Sequence, residues 1–128
     1  MAQVGPGLVA FVGIAKGDDE EDARYLAGKT ANLRLFPDSQ GKLNLSILDI
    51  KGEVLIVSQF TLLADTRKGR RPSFINAALP KEAETLFNRF VEMVRGNNLK
   101  VKTGCFQQNM LVEIHNQGPV TIFLDSKN

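Results

Sequence analysis

Two long apolar runs restrict the folds open to this chain more than any other feature of its sequence. Residues 7–14 read GLVAFVGI and residues 52–64 read GEVLIVSQFTLLA, with β-branched and aromatic side chains in both. A continuous apolar run of this kind predicts a buried strand. The second run is the more strand-like of the two, because residues 54–57 are uniformly apolar.

A first helix is predicted between these two strands. Asp18 or Asp19 can cap it, and the acidic residues that follow suit the positive end of the helix dipole. Its apolar stripe at helical spacing consists of Ala23, Leu26, Ala27, Thr30 and Leu33.

A second helix is predicted to begin at Pro80, since proline is favoured at the first helical position, and to end at Gly96. Its inner face comprises Ala83, Leu86, Phe87, Phe90, Val91 and Val94.

The other segments indicate further strands. A short strand is predicted at 34–36, LKVKTG alternates with both lysines on one face, and MLVEIHN and VTIFL flank the pair Gly118 and Pro119, which the residues alone mark as a turn. The order of elements predicts an α+β fold. We expect a single compact domain over 1–128 with two main helices and a mixed or antiparallel β-sheet, or a barrel-like one.

Composition excludes several classes of protein. The single cysteine, Cys105, permits no internal disulfide and no cysteine-based zinc site, and the apolar runs are too short to span a bilayer. The first residues, MAQVGPG, lack the basic region of a secretory signal, so a cytoplasmic location without membrane contact is expected. Net charge is only +2, so attraction to nucleic acid must come from a local patch. No metal or cofactor is expected.

Three local patterns fail as catalytic motifs. AGKT at 27–30 ends like a phosphate-binding loop, but Ala23 stands where that motif needs glycine, and the segment lies in a predicted helix. His115 is the only histidine and has no carboxylate placed by sequence to orient it, so a surface or interface position is favoured. Cys105 lacks a nearby base and is expected to be small and partly buried.

The second apolar run becomes polar near its end. Ser58, Gln59 and Thr61 appear while the strand pattern continues, and polar groups in a buried strand need partners. Two interpretations stay open: a ligand site, or an edge where the sheet meets solvent.

A cluster of cations follows shortly after. Arg67, Lys68, Arg70 and Arg71 place four positive charges within five residues. Phosphate binding is one hypothesis, and a solvated loop is the other. No aromatic side chains are interleaved with these cations in the sequence.

Taken together, VSQFTLLADTRKGRRPSF, KTGCFQQNM and NQGPVTIFLD resemble the D-aminoacyl-tRNA deacylases, over essentially the whole chain. The resemblance implies a homodimer of α/β-type fold. It also implies hydrolysis of the ester that joins a D-amino acid, or glycine, to the 3′-terminal adenosine of tRNA, while L-amino acids are spared.

The resemblance also implies roles for individual residues. Ser58, Gln59 and Thr61 are the candidate catalytic set, with the Thr61 hydroxyl as nucleophile or positioning group. Backbone amides around Phe60 and Thr61 hold the scissile carbonyl. In an alternative mechanism, the 2′-OH of the tRNA assists and the protein supplies geometry and oxyanion stabilisation.

Further roles concern the substrate. Phe106 and Met110 match positions that pack the terminal adenosine. The bond between Gly118 and Pro119 is expected to be cis and to project into the partner subunit's active site. There its carbonyls hold the α-amino group and exclude an L side chain, and a Cβ on Gly118 would crowd the same space.

The chain departs from the family pattern in two places. An N-terminal β-hairpin upstream of Gln3 is expected to be absent, and Gln107 and Gln108 stand where small residues are typical. Three hypotheses follow. The leading one is an active deacylase. The others are a related tRNA deacylase of altered selectivity with a trans Gly118–Pro119 bond, and a non-catalytic tRNA-binding dimer.

Overall fold

The computed structural model describes residues 2–118 and 120–127, which form a mixed α/β domain. In chain order the elements are β1 (Gly7–Val12), α1 (Glu20–Asn32), β2 (Phe36–Pro37), β3 (Leu43–Leu45), α2 (Ile47–Ile50), β4 (Glu53–Ser58), a 3-10 turn (Phe60–Leu63), α3 (Pro80–Arg95) and β5 (Lys100–Thr103).

The main sheet has three parallel strands in the order β1-β4-β5. The predicted mixed or antiparallel sheet is therefore wrong for these strands, and antiparallel pairing is confined to the small sheet of β2 and β3. Parallel neighbours need long crossover connections, which here contain α1 and α3. The sheet of the described residues has open edges at β1 and β5, so it does not close into the barrel that was the alternative prediction.

The core lies between the sheet and the two long helices. Val54 and Ile56 of the central strand are fully buried and belong to one core cluster with residues of both helices. The buried faces of the helices consist of Ala23, Ala27 and Ala31 in α1 and of Phe87, Phe90, Val91 and Val94 in α3. The periodicity predicted Ala23 and Ala27 on the buried face of α1 but missed Ala31.

The three predicted helix ends are confirmed. Asp19 is the N-cap of α1, and its carboxylate accepts hydrogen bonds from the backbone N–H groups of Glu21 (3.0 Å) and Asp22 (3.2 Å). Pro80 is the first residue of α3 and Gly96 is its C-cap. Gly96 has φ −60°, so it ends the helix without the left-handed conformation that glycine usually supplies there.

The short helix α2 was not predicted. Ser46 caps it: the Ser46 hydroxyl accepts from the Asp49 backbone N–H at 3.2 Å, and the Asp49 carboxylate accepts from the Ser46 N–H at 2.8 Å. This reciprocal pair is a capping box, so the spacing of Ser46 and Asp49 was the available signal. The helix places Ile47 in the core with no exposed surface.

Replacing Ile47 by alanine is expected to lower the free energy of unfolding by about 2–5 kcal/mol, because the large-to-small change leaves a cavity beneath the sheet. Ile47→Val should cost about 0.5–1.5 kcal/mol. Denaturant titration of the three proteins measures both values. Equal stability of wild type and Ile47→Ala would contradict the burial of this side chain.

The two strands predicted for the last part of the chain are not found. Among described residues after Thr103, none pairs into a strand. Leu111 is 94% exposed and Phe123 is 75% exposed. The apolar pattern indicated strands, but a strand also needs a neighbour for its backbone hydrogen bonds, and no backbone–backbone hydrogen bond is found among the described residues after Gln108.

An ion pair links the end of the segment that follows Thr103 to α1. The Lys127 ammonium donates to both carboxylate oxygens of Asp22, at 2.9 and 3.0 Å, and approaches Asp18 at 3.9 Å. The hydrogen bond from Lys127, followed by that from the Asp19 backbone N–H, lowers the pKa of Asp22 from 3.8 to about 2.

This pairing predicts a dependence of stability on pH. Because the pKa of Asp22 is lower in the folded state than in the unfolded state, its contribution is present above the unfolded pKa and is lost as the pH falls towards about 2. We expect Asp22→Asn and Lys127→Met each to reduce stability at neutral pH and to flatten the fall of stability between about pH 5 and pH 2. Urea unfolding across this range measures the effect, and unchanged pH curves in both variants would show that the pair contributes nothing.

Candidate functional site

The polar end of the second apolar run forms a turn rather than a longer strand. Strand β4 ends at Ser58, and the Gln59 backbone N–H still donates to the Val12 carbonyl at 2.8 Å. Gln59 then adopts φ −144° and ψ 84°, and the chain enters the 3-10 turn at Phe60. The prediction that the strand continues through Thr61 is therefore wrong. The turn brings Phe60 and Thr61 to the surface, where their backbone N–H groups lie in the first positions of a helical turn.

Gln59 and Thr61 contact each other directly. The side-chain amide of Gln59 donates a hydrogen bond to the Thr61 hydroxyl oxygen. Since that oxygen accepts from the amide, the hydroxyl hydrogen is left to donate elsewhere. At the carboxyl end of β4, Thr61 is exposed, while Gln59 and the preceding Ser58 are half-buried. The structure thus brings together the three residues that the sequence singled out as a polar strand end.

Gly13 supports this turn from below and was missed from the sequence. A Cβ at Gly13 would lie 2.4 Å from Leu63 Cδ2, 3.1 Å from the Gln59 carbonyl oxygen and 3.1 Å from Leu62 Cβ. A side chain at Gly13, directly after β1, would therefore press on Leu63 and on the backbone of the turn. An isolated glycine just after a strand was the signal available in the sequence.

The basic loop, residues 66–72, is closed by pairing between the residues that flank it, and one of its positive charges is neutralised by a carboxylate. Asp65 and Ser73 form an antiparallel bridge with backbone hydrogen bonds of 2.7 and 2.9 Å. The Asp65 carboxylate accepts from the Arg67 backbone N–H (3.0 Å), Nε (2.9 Å) and Nη2 (2.8 Å). These bonds lower the pKa of Asp65 from 3.8 to about 2 and raise the pKa of Arg67.

The other cations of the loop are not tied in this way. Lys68, Arg70 and Arg71 are exposed, and no carboxylate of the described residues lies within ion-pair distance of them. All four predicted phosphate-binding cations are therefore exposed to solvent, and Arg67 is in addition held by Asp65.

An aromatic pair stands where the turn meets the base of this loop. The rings of Phe60 and Phe74 lie edge to face, with centroids 5.1 Å apart and planes at 71°. Phe60 is 57% exposed and Phe74 is 38% exposed. The sequence showed no aromatic residues among the cations. Phe74 directly follows the bridge that closes the loop, and its contact with Phe60 joins the base of the loop to the turn.

Phe106 and Met110 lie near the ends of β4 and β5. The Phe106 ring packs against Phe87 of α3 at 6.0 Å between centroids, and so is joined to the core. Met110 covers Gly104, because a Cβ there would lie 2.8 Å from the Met110 sulfur. Between these residues, Gln107 has φ 62°, a left-handed conformation that favours glycine. Glycine at this position would remove that strain.

Gly118 has φ +133°, where side chains other than hydrogen are strained, and a Cβ there would lie 3.2 Å from Val120 atoms. Pro119 lies outside the described residues, and so does the predicted cis bond. Gly118 is exposed on the same apolar segment as Leu111 and Phe123.

His115 and Cys105 take no part in the turn. His115 Nε2 lies 3.4 Å from Glu113 Oε1, and both side chains are more than 80% exposed, which confirms a surface position for the histidine. Cys105 is exposed, so the expectation of partial burial is wrong. Over 2–118 and 120–127, no group of three His, Cys, Asp or Glu side chains is arranged to hold a metal ion.

A surface depression of about 750 Å³ lies elsewhere, between the beginnings of α1 and α3. Glu20, Glu82 and Glu92 line it together with Arg89. An acidic lining repels phosphate, so this depression does not suit a nucleic-acid ligand. The helices within the described part of the chain are all too short or too polar to cross a membrane.

A comparison with sequence families decides where the chain belongs. The sequence model of the family described as D-Tyr-tRNA(Tyr) deacylase matches residues 1–125. The chain belongs to this family. A relative named D-aminoacyl-tRNA deacylase, from Dehalococcoides mccartyi, is 56% identical over 128 residues, which cover 100% of this chain and 84% of the relative.

A second relative and one solved structure are also relevant to function. A Bacillus subtilis relative named Inactive D-aminoacyl-tRNA deacylase is 52% identical over 127 residues, which cover 99% of this chain and 96% of the relative. A solved structure titled c-Myc DNA Unwinding Element Binding Protein is 38% identical, with a TM-score of 0.88 over 95% of this chain and 83% of that chain. The fold of this chain is therefore closely similar to the fold of that solved structure.

Proposed function

We propose that the protein is a hydrolase that cleaves the ester of D-aminoacyl-tRNA, or of glycine mischarged on tRNA, to free amino acid and tRNA, in the cytoplasm. The observation that carries the proposal is the exposed turn at the end of β4, where Thr61, fixed by Gln59, adjoins a cationic loop. The name of the 56% identical relative supports the same reaction.

The turn suits stabilisation of a developing oxyanion. The backbone N–H groups of Phe60 and Thr61, at the start of the 3-10 turn, are donors for the ester carbonyl oxygen as it gains negative charge. The Thr61 hydroxyl, whose oxygen already accepts from Gln59, is a third donor. Ser58 ends the strand that fixes this arrangement.

The same contact favours a positioning role for Thr61 over a nucleophilic one. A nucleophilic hydroxyl needs a base to take its proton, but the observed partner of Thr61 is an amide N–H, which is a donor. The 2′-OH of the terminal adenosine then assists departure of the 3′ oxygen, and water supplies the hydroxyl of the released amino acid. Phe106 and Met110 pack the adenosine beside the turn.

The rejection of L-amino acids is assigned to a partner subunit in a homodimer. Gly118 and Pro119 of one subunit enter the active site of the other, and rigid backbone there leaves no room for an L side chain. The exposed apolar side chains of the same segment, Leu111 and Phe123, support coverage by a second copy of the chain. Light scattering of the wild type and of Phe123→Asp tests this, and a monomeric wild type would exclude it.

The support that Gly13 gives to the turn leads to a prediction. Gly13→Ala is expected to displace the turn and to lower kcat by about tenfold to a hundredfold, because small misplacements of catalytic groups carry losses of this size. Gly28→Ala is the matched control, since no atom lies within 4 Å of its added Cβ. Initial rates of release from D-Tyr-tRNA measure the effect. If both variants keep wild-type rates, the position of the turn does not control the reaction.

A second candidate function is a non-catalytic tRNA-binding dimer. The specific observation in its favour is the Bacillus subtilis relative whose name states that it is inactive, and of which this chain covers 96%.

One experiment separates the two candidates. D-Tyr-tRNA and L-Tyr-tRNA are incubated side by side with the protein, and released tyrosine and retained tRNA binding are both measured. Release from D-Tyr-tRNA alone establishes the deacylase. Binding of tRNA without release of either amino acid establishes the non-catalytic function. Equal release from both esters would show that the chain does not distinguish chirality.

A further inference from the structure

We propose that Asn116 and Thr121 are positioning residues for the selection between D- and L-amino acids. The hydrogen bond between their side chains closes the loop that carries Gly118 and holds this loop in one conformation. This role rests on the proposed function, which gives the loop its place in the active site of the partner subunit. Neither residue belongs to the turn at the end of β4, so they act on selectivity from outside the reacting groups.

A single hydrogen bond spans the loop. The side-chain amide of Asn116 donates to the Thr121 hydroxyl oxygen at 3.1 Å. Over residues 2–118 and 120–127, it is the one hydrogen bond that joins the stretch 109–117 to the stretch 120–127. Both side chains are exposed, so burial does not hold them together. The spacing of the two arms of the loop therefore depends on this pair.

The conformation of Gly118 needs such a contact. Its φ of +133° lies where only glycine is free of strain, but glycine occupies negative φ just as readily. Gly118 therefore permits this conformation without selecting it. A Cβ on Gly118 would lie 3.2 Å from Val120 Cγ2 and from the Val120 nitrogen, so the chain turns tightly here. A contact outside the glycine must hold the turn.

The short span between the two residues strengthens this exposed bond. Only four residues separate Asn116 from Thr121, so little loop entropy is lost when their side chains meet. The bond can therefore compete with water, which would otherwise bind both groups. The Thr121 oxygen is the acceptor, so a substitution that removes this oxygen while keeping the shape of the side chain removes the bond alone.

The consequence for selectivity follows from what the loop excludes. An L side chain is rejected only if the backbone around Gly118 keeps its place in the partner's active site. Loosening the loop would let this backbone give way to an L side chain. Hydrolysis of glycyl-tRNA would stay almost unchanged, because glycine has no side chain to exclude. Asn116 and Thr121 therefore affect the choice of substrate rather than the chemical step.

The test compares the wild type with Thr121→Val, which removes the hydroxyl, Thr121→Ser, which keeps it, and a matched control. Thr85→Val is the control, because Thr85 is an exposed threonine whose hydroxyl donates at 3.1 Å to the Lys81 carbonyl on α3. Two quantities are measured on each protein. One is the NMR order parameter of the Gly118 backbone amide. The other is the rate of release from D-Tyr-tRNA, L-Tyr-tRNA and glycyl-tRNA with the protein in excess.

The expected result links loop order to selectivity. The order parameter should be about 0.85 in the wild type and in Thr121→Ser, and should fall below about 0.6 in Thr121→Val. In Thr121→Val the ratio of D-Tyr-tRNA release to L-Tyr-tRNA release should fall by about threefold to tenfold, the effect of one lost hydrogen bond. Release from glycyl-tRNA should stay within about twofold. Thr85→Val should match the wild type throughout.

A double variant shows whether the two residues act together. Adding Asn116→Ala to Thr121→Val should change neither the order parameter nor the ratio further, because both residues act through one bond. Further loss in the double variant would mean that Asn116 and Thr121 act separately.

Several results would overturn the proposal. An unchanged order parameter in Thr121→Val would show that the bond does not hold the loop. A lower order parameter with an unchanged ratio would show that loop rigidity does not select chirality, and equal losses on all three esters would give Thr121 a general structural role. A wild type that releases both tyrosine esters equally would contradict the proposed function itself, whereas a selective wild type with an equally selective Thr121→Val contradicts only this inference.

Discussion

Thr61→Ala should lower the turnover number for D-Tyr-tRNA by a factor of about 10² to 10³, the usual loss for a donor that stabilises an oxyanion. Binding of tRNA should change by no more than about threefold, because the hydroxyl interacts with the reacting ester and not with the bulk of the ligand. Single-turnover rates and equilibrium binding, measured on the same preparation, separate the two effects.

Conservative and distant variants give this prediction its controls. Thr61→Ser keeps the hydroxyl and should keep most of the activity. Thr66→Ala changes an exposed threonine on the adjoining loop and should have wild-type rates. Gln59→Leu removes the amide that fixes the Thr61 oxygen, and a loss of about tenfold is expected because orientation is lost while the hydroxyl remains. Equal losses in turnover and in tRNA binding on Thr61→Ala would exclude a chemical role for the hydroxyl.

Local signals predicted the parts of the fold that local interactions determine. The caps at Asp19 and Pro80 fix helix ends through hydrogen bonds and dihedral angles within a few residues, so they can be read from the sequence. The parallel pairing of β1 with β4 cannot, because it joins residues more than forty positions apart through crossover connections. The strands expected at 110–116 and 120–124 failed for the same reason, since a pattern specifies a face but not a partner.

The candidate site shows the same division. The change from apolar to polar residues singled out Ser58, Gln59 and Thr61, which lie together at the end of β4, but the turn depends on the backbone angles of Gln59, which the pattern does not encode. The pairing of Asp65 with Arg67, two residues apart, was readable and was missed. The contact between Phe60 and Phe74 spans the whole basic loop and becomes visible only once the loop is closed.

The basic loop is the second place where a large effect is expected. Changing Lys68, Arg70 and Arg71 together to glutamine should weaken tRNA binding on the order of a hundredfold at about 0.1 M salt and reduce the salt slope of log K by about 2 to 3. Each lost phosphate contact removes close to one released counterion, so the slope counts the contacts directly. Fluorescence titrations at several salt concentrations measure it.

Variants of Arg67 test whether a cation of this loop must contact phosphate or need only add positive charge. It carries the same charge as its neighbours, but its guanidinium is held by both oxygens of Asp65. Arg67→Gln should therefore change the slope of log K against log salt by much less than Arg70→Gln does. Asp65→Asn should release Arg67 and raise the slope by up to about 1, since a fourth cation becomes free to meet phosphate. If Arg67→Gln and Arg70→Gln reduce the slope equally, the ion pair opens on binding and all four cations contact the tRNA. If the triple variant leaves the slope unchanged, phosphate is bound elsewhere on the protein.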